Sequence, residues 1–158
     1  MENEKIGKNP AARIARSRED NRRVRFLPGE EESSLRGAIA KRTPQHVPAF
    51  DLSLHSGMRA SEQFSLKWLQ IDWHLRILTL PRTKNGKSRH IPLNAVAMEA
   101  LRILKEQHRR QSPHSPWVFL NEEGGRLRCH RDWFEPALKE SGVQDYSIAT
   151  GIRLHLDS

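Results

Sequence analysis

A nine-residue stretch in the first half of the chain decides the fold: Leu54-His55-Ser56-Gly57-Met58-Arg59-Ala60-Ser61-Glu62. Glycine commonly ends a helix because it adopts a left-handed conformation at little cost, so we expect one helix to end at Gly57 and another to begin at Ala60. Arg59 then lies at the joint, and Glu62 lies one turn further on, able to hold its guanidinium. A fixed guanidinium is well suited to bind phosphate. Taken alone, the stretch is better explained by a surface helix with an ordinary ion pair.

The positive charge of the chain is concentrated in two segments. The net charge is +8, and residues 1–25 carry eight Lys/Arg against four Asp/Glu, whereas residues 82–110 carry eight against two. The remaining residues contribute no net positive charge. Solubility does not require such clustering, so we favour a polyanionic partner, nucleic acid, over general surface charge.

The apolar spacing predicts helices on both sides of a short β segment. The first predicted helix ends near residue 41, and the second covers about 45–55. The third begins after residue 59 and carries the apolar residues at 64, 66 and 68. A further helix covers about 130–141. Asn94 should cap a long helix whose core face is Val96, Ala100, Leu101 and Leu104. Trp117 to Leu120 reads as a short buried strand. The fold class is therefore α+β with a helical majority.

A charged hairpin is predicted in the middle of the chain. Residues 76–80 and 88–93 have strand-like composition, and the Asn85-Gly86 pair between them is a strong hairpin signal. The basic residues near its tip are Arg82, Lys84, Lys87 and Arg89. These side chains suit contact with phosphate, although lysines that protect an exposed sheet edge from aggregation would give the same pattern.

Composition argues against several other classes of protein. Cys129 is the only cysteine, and the eight histidines do not form a metal-binding pattern with it or with one another, so we expect neither a metal nor a cofactor. No apolar run approaches the roughly 20 residues of a membrane span, and no apolar signal region begins the sequence. We expect no membrane partner and a cytoplasmic protein.

Several motifs, in order and spacing, resemble the catalytic domain of the phage integrase (tyrosine recombinase) family over roughly residues 22–147. They are Arg25-Phe26-Leu27, the stretch at 54–62, Leu66-Lys67-Trp68, Ile71-Asp72-Trp73, Thr83-Lys84-Asn85-Gly86-Lys87-Ser88-Arg89 and Ile91-Pro92-Leu93. The resemblance implies a mainly helical fold with a small antiparallel sheet and a β-hairpin. It also implies site-specific DNA recombination without a metal: a tyrosine attacks a phosphodiester while arginines, a lysine and histidines stabilise the phosphorane and move protons.

The resemblance assigns roles to individual residues. Arg59 looks like the first catalytic arginine and Glu62 like its supporting acid. Lys84 looks like the lysine that protonates the leaving 5′-oxygen, whereas Arg82, Lys87 and Arg89 are expected to hold backbone phosphate. The implied partners are double-stranded DNA and intact recombinase protomers.

The end of the sequence departs from the family pattern. Where His-x-x-Arg is expected the chain has Thr150-Gly151-Ile152-Arg153, and no histidine or tyrosine follows at family distance before Ser158. Arg153 can stand in for the second arginine, but threonine cannot replace an imidazole in proton transfer. Tyr146, the only tyrosine, occupies the place of a structural aromatic in the family. We therefore expect a truncated form that lacks the nucleophile and does not cleave DNA alone.

The expected organisation is a basic linker or arm at 1–23, left from a DNA-clamping domain, and a catalytic domain at 24–158 that is incomplete at its C-terminus. Because the catalytic domain is expected to be incomplete, Phe119, Trp133 and Phe134 should be exposed. Two alternatives to a recombinase remnant stay open. One is a non-catalytic DNA-binding regulator that competes with an intact integrase; the other is a basic RNA-associated or ribosome-associated protein.

Overall fold

The computed structural model describes residues 27–81, 88–144 and 146. Along the chain these form α1 (Gly29–Arg42), α2 (Val47–Ser56), the short α3 (Ala60–Gln63), strands β1 (Ile71–Asp72), β2 (Ile77–Leu80) and β3 (Arg89–Pro92), then α4 (Ala95–Gln111) and α5 (Arg131–Ser141). Single 3₁₀ turns at Pro44–His46 and Trp68–Gln70 precede α2 and β1. The predicted α+β class with a helical majority is confirmed.

Helix α2 lies at the centre of the fold. Every residue from Pro48 to Leu54 is buried, which fits a helix that is apolar on nearly all sides. It packs against α4, while α1 packs against α5. The α1–α2 packing is held by Arg36, whose guanidinium donates two hydrogen bonds of 2.9 Å to the carboxylate of Asp51. This core fixes the end of α2, where Gly57 begins the joint to α3.

The three strands form one antiparallel sheet in the order β1-β2-β3. Leu78 stands opposite Ile91 and Leu80 opposite Arg89, so Arg89 shares the face of the sheet that carries the buried Leu78 and Leu80. The predicted strand pairing is confirmed. The predicted hairpin tip, with Arg82, Lys84 and Lys87, lies outside the described residues.

The third helix is shorter than predicted. It ends at Gln63, and the following backbone instead pairs with a distant segment: Val118 N–H donates to the carbonyl of Leu66 at 2.9 Å, and Trp68 N–H to that of Pro116 at 3.1 Å. These bonds require an extended backbone at 66–68 and so override the helical spacing. Trp117–Leu120 forms single bridges to Lys67 and Arg126 rather than a strand.

Two predictions about burial are wrong. Val96 is 43% exposed because the buried stripe of α4 begins at Ala97 and continues through Leu101, Leu104 and His108. Phe119, Trp133 and Phe134 are buried, because they pack as a group of rings with Phe64, His130 and Tyr146. Within the described part of the chain, no helix is long and apolar enough to cross a membrane.

Candidate nucleic-acid interface

The joint between α2 and α3 presents Arg59 in a fixed backbone conformation. Gly57 ends α2 with a left-handed φ of 58°, and Arg59 precedes α3 in an extended conformation. The backbone N–H of Arg59 donates a 2.8 Å hydrogen bond to Oε2 of Glu62, the third residue of the helix. A carboxylate at this position satisfies an otherwise unpaired N–H at a helix start. The backbone that carries the Arg59 side chain is therefore held at both ends of the joint.

One carboxylate connects two guanidinium groups at this joint. Oε1 of Glu62 lies 3.3 Å from a terminal nitrogen of Arg59, and Oε2 lies 2.8 Å from a terminal nitrogen of Arg89. The Glu62 side chain is 12% exposed, whereas those of Arg59 and Arg89 are 67% and 44% exposed. The carboxylate is thus covered, and the two cationic heads face solvent with donors left for an anion. We call these three residues the Glu62 cluster.

The register of the sheet brings Arg89 to this cluster. Because Arg89 stands opposite Leu80 on the inward face of β3, its side chain turns toward α3 rather than away from the protein. The sequence prediction placed Arg89 on DNA phosphate and did not foresee its contact with Glu62. A charged residue at an inward position at the start of β3 indicates that Arg89 has an ionic partner in the protein. The sequence does not identify that partner, because it depends on contacts between distant segments.

A second polar contact lies at the C-terminal end of α2. The side-chain oxygen of Asn94 accepts a hydrogen bond from Ala97 N–H, so its amide nitrogen is the group that lies 2.9 Å from Nδ1 of His55. Asn94 thus links the C-terminal end of α2 to the start of α4. The sequence pattern predicts a cap at Asn94 and no role for His55.

The remaining predicted site residues, Arg82, Lys84, Lys87 and Arg153, lie outside the described residues. Tyr146 is buried and packs against Phe134, with 6.0 Å between ring centroids. Burial, and secondarily the charge of Glu32, raises the pKa of its hydroxyl above the ordinary value. A buried phenol of this kind is a poor nucleophile.

The arginines on the exposed face of α4 pair with glutamates of the same helix. Arg102 pairs with Glu99 at 3.2 Å, and Arg109 and Arg110 both pair with Glu106 at 3.2 and 3.1 Å. These pairs lie on one exposed helix face. The Glu62 cluster differs because its shared carboxylate is 12% exposed, against 50% for Glu106, and joins arginines from two distant segments.

A cleft of about 440 Å³ lies between the start of α2, the end of α4 and residues 118–122. It is at the opposite end of α2 from Arg59. Among the residues that the structure describes, no group of His, Cys, Asp and Glu side chains is arranged to hold a metal ion.

Known proteins resemble this chain over the residues described above. The model of the phage integrase family matches residues 25–155. The chain is similar to the shufflon-specific DNA recombinase of Escherichia coli, 31% identical over 96 residues, which covers 61% of this chain and 25% of that protein. It is also 28% identical over 151 residues to the tyrosine recombinase XerC of Chromobacterium violaceum, which covers 94% of this chain and 48% of the relative. The chain thus spans a quarter to a half of the length of these relatives.

The fold is also that of solved recombinases. The structure of the Tn1549 transposon integrase in complex with circular intermediate DNA matches with a TM-score of 0.64 and 20% identity, covering 80% of this chain and 49% of that one. At this identity the likeness concerns the fold. Because the family model covers most of the sequence, from just before α1 to near the end, the chain belongs to the phage integrase family.

Proposed function

We propose that this chain binds duplex DNA as the phosphate-holding part of a tyrosine recombinase catalytic domain, in site-specific recombination or integration. The observation that carries the proposal is the Glu62 cluster, in which a covered carboxylate holds two exposed guanidinium groups together. The clustering of net positive charge in the sequence, the family membership and the DNA-bound state of a protein with this fold support it.

The chemistry of the cluster fits a phosphodiester. A guanidinium donates paired hydrogen bonds to two phosphate oxygens, and it remains charged at any physiological pH. Because Glu62 holds both arginines before a ligand arrives, less side-chain freedom is lost on binding. Preorganised cations of this kind also stabilise the extra negative charge of a pentacoordinate phosphorane.

The individual roles belong to the proposal. Arg59 binds the scissile phosphate, Lys84 protonates the leaving 5′-oxygen, and Arg153 supplies the second catalytic arginine. Arg82 and Lys87 hold neighbouring backbone phosphates, and Arg89 does so while it fixes Glu62. Residues 1–23 serve as a basic arm, and residues 24–158 belong to the catalytic domain.

We further propose that this 158-residue chain does not cleave DNA by itself. Its only tyrosine, Tyr146, is buried against Phe134, and burial raises the pKa of its hydroxyl. On a duplex carrying a nick beside the cleavage site, we expect no covalent protein–DNA adduct, and the same result for Tyr146→Phe. An adduct that forms with the purified chain and disappears in Tyr146→Phe would contradict this part of the proposal.

Binding itself is tested by fluorescence anisotropy on a labelled duplex. Arg59→Gln should lower the affinity roughly tenfold at about 50 mM salt, and the affinity of the parent chain should fall steeply as the salt rises to about 200 mM. Arg102→Gln is a matched control, because Arg102 is 63% exposed and pairs with Glu99 at i,i+3, much as Arg59 pairs with Glu62. Equal affinities of the two variants would overturn the assignment of the Glu62 cluster. Equal affinity for duplex DNA and RNA would overturn DNA as the partner.

A further inference from the structure

A second cationic group lies beside α3, around the indole of Trp117. Nζ of Lys67 lies 4.8 Å from the centroid of that ring, and the guanidinium carbon of Arg126 lies 5.5 Å from it. Lys67 and Trp117 are held opposite each other by the antiparallel bridge between their segments. We call Lys67, Trp117 and Arg126 the Trp117 patch.

The two cations of the patch are fixed without a carboxylate. Nε of Arg126 donates a 2.8 Å hydrogen bond to the carbonyl of Phe64, which leaves its terminal nitrogens for other acceptors. Within residues 27–81, 88–144 and 146, no Asp or Glu oxygen lies within 4.0 Å of either charged head. The arginines of α4 show the opposite arrangement, since each pairs with a glutamate one turn away. Two neighbouring cations with no acid between them favour an external anion.

The patch is close to the Glu62 cluster along the chain. Phe64, whose carbonyl holds Arg126, is five residues after Arg59. Its N–H donates a 2.9 Å hydrogen bond to the carbonyl of Ala60, so the helical turn continues to Phe64. The two cationic groups therefore border the same short helix, one held by Glu62 within it and the other by the residue that follows it.

We propose that the Trp117 patch is a second contact for the phosphate backbone of duplex DNA, in addition to the phosphate held by the Glu62 cluster. This inference rests on the proposed function and adds a surface to it. The indole holds the lysine and arginine heads in place, so that less of their rotational freedom is lost when a phosphate binds. The contact is to the backbone and should not depend on the base sequence.

The test uses Lys67→Gln, because the side chain of Lys67 is exposed and its replacement leaves the Arg126–Phe64 bond intact. Removing one phosphate contact should lower the affinity for duplex DNA several-fold at low salt. It should also reduce the slope of log affinity against log salt by about one. Trp117→Leu keeps an apolar side chain but removes the ring, and it should weaken binding in the same direction.

Lys105→Gln is the matched control. Nζ of Lys105 lies 4.6 Å from the centroid of Trp73, so it too is a lysine over an indole, but it stands on α4, where the arginines pair with glutamates of the same helix. Lys105→Gln should leave both affinity and slope unchanged. If Lys67→Gln and Lys105→Gln behave alike while Arg59→Gln still weakens binding, the Trp117 patch is overturned and the proposed function stands. If the parent chain itself shows no salt-dependent binding to the duplex, the proposed function fails and the patch with it.

Discussion

Replacing Glu62 should destabilise the protein far more than replacing an ordinary surface glutamate. In Glu62→Ala the backbone N–H of Arg59 loses its acceptor at the start of α3, which costs about 1 kcal/mol. The ion pairs to Arg59 and Arg89 are also lost. Because those arginines are 67% and 44% exposed, solvent screens each pair to about 0.5 kcal/mol. The expected loss is about 2 kcal/mol of unfolding free energy.

Glu62→Gln separates the two contributions. An amide oxygen can still accept from the Arg59 N–H, since glutamine also occupies this position in capping boxes, but the ion pairs are gone. We therefore expect a loss of about 1 kcal/mol for Glu62→Gln, intermediate between the parent chain and Glu62→Ala. For a chain of this size each kcal/mol corresponds to roughly 3 °C in Tm.

The assay is urea unfolding followed by tryptophan fluorescence, with Glu99→Ala as control. Glu99 is 61% exposed and pairs with Arg102 alone, so its replacement should cost at most about 0.5 kcal/mol. Equal losses for Glu62→Ala and Glu99→Ala would refute the view that Glu62 organises the joint.

Three further outcomes can be measured by the same unfolding assay. Burial raises the pKa of Tyr146, so the unfolded chain loses that proton first; stability should fall as the pH rises above about 10, and less so in Tyr146→Phe. Burial lowers the pKa of His46, so the unfolded chain gains a proton first; stability should fall as the pH drops below about 6.5, and less so in His46→Gln. Gly37→Ala, in open space within α1, should stabilise by about 0.5 kcal/mol, whereas Gly142→Ala should destabilise by about 1 kcal/mol because its φ is +72°.

Local signals in the sequence were sufficient for much of the fold. The cap at Asn94 is confirmed by the bond from Ala97 N–H, and the helix end at Gly57 is confirmed by its left-handed backbone. The helix predicted over about 130–141 ends at Ser141, before the left-handed Gly142. Each signal acts within a few residues, so it can be read without knowing what packs nearby. The antiparallel pairing of β2 with β3 could also be predicted from the sequence, because a short connection between two strand-like runs leaves few other ways for them to pair.

The remaining features depend on partners that are distant in sequence. Helix α3 ends early because Leu66 pairs with Val118, more than 50 residues later. Arg89 reaches Glu62 across 27 residues, and His55 meets Asn94 across 39. The sequence suggested that Glu62 supports Arg59, since those residues are one turn apart. The same carboxylate also holds Arg89 because of the register of β3. Hydrophobic spacing alone does not specify that register.

Side-chain NMR can show whether the Glu62 cluster holds a DNA phosphate. The Nε–H resonances of assigned arginines would be followed while a short duplex is added to the labelled chain. We predict that the resonances of Arg59 and Arg89 shift with the duplex and return toward their free positions as salt is added, whereas those of Arg102 and Arg109 on α4 do not shift. Shifts confined to the α4 arginines, with Arg59 and Arg89 unchanged at saturating duplex, would contradict it.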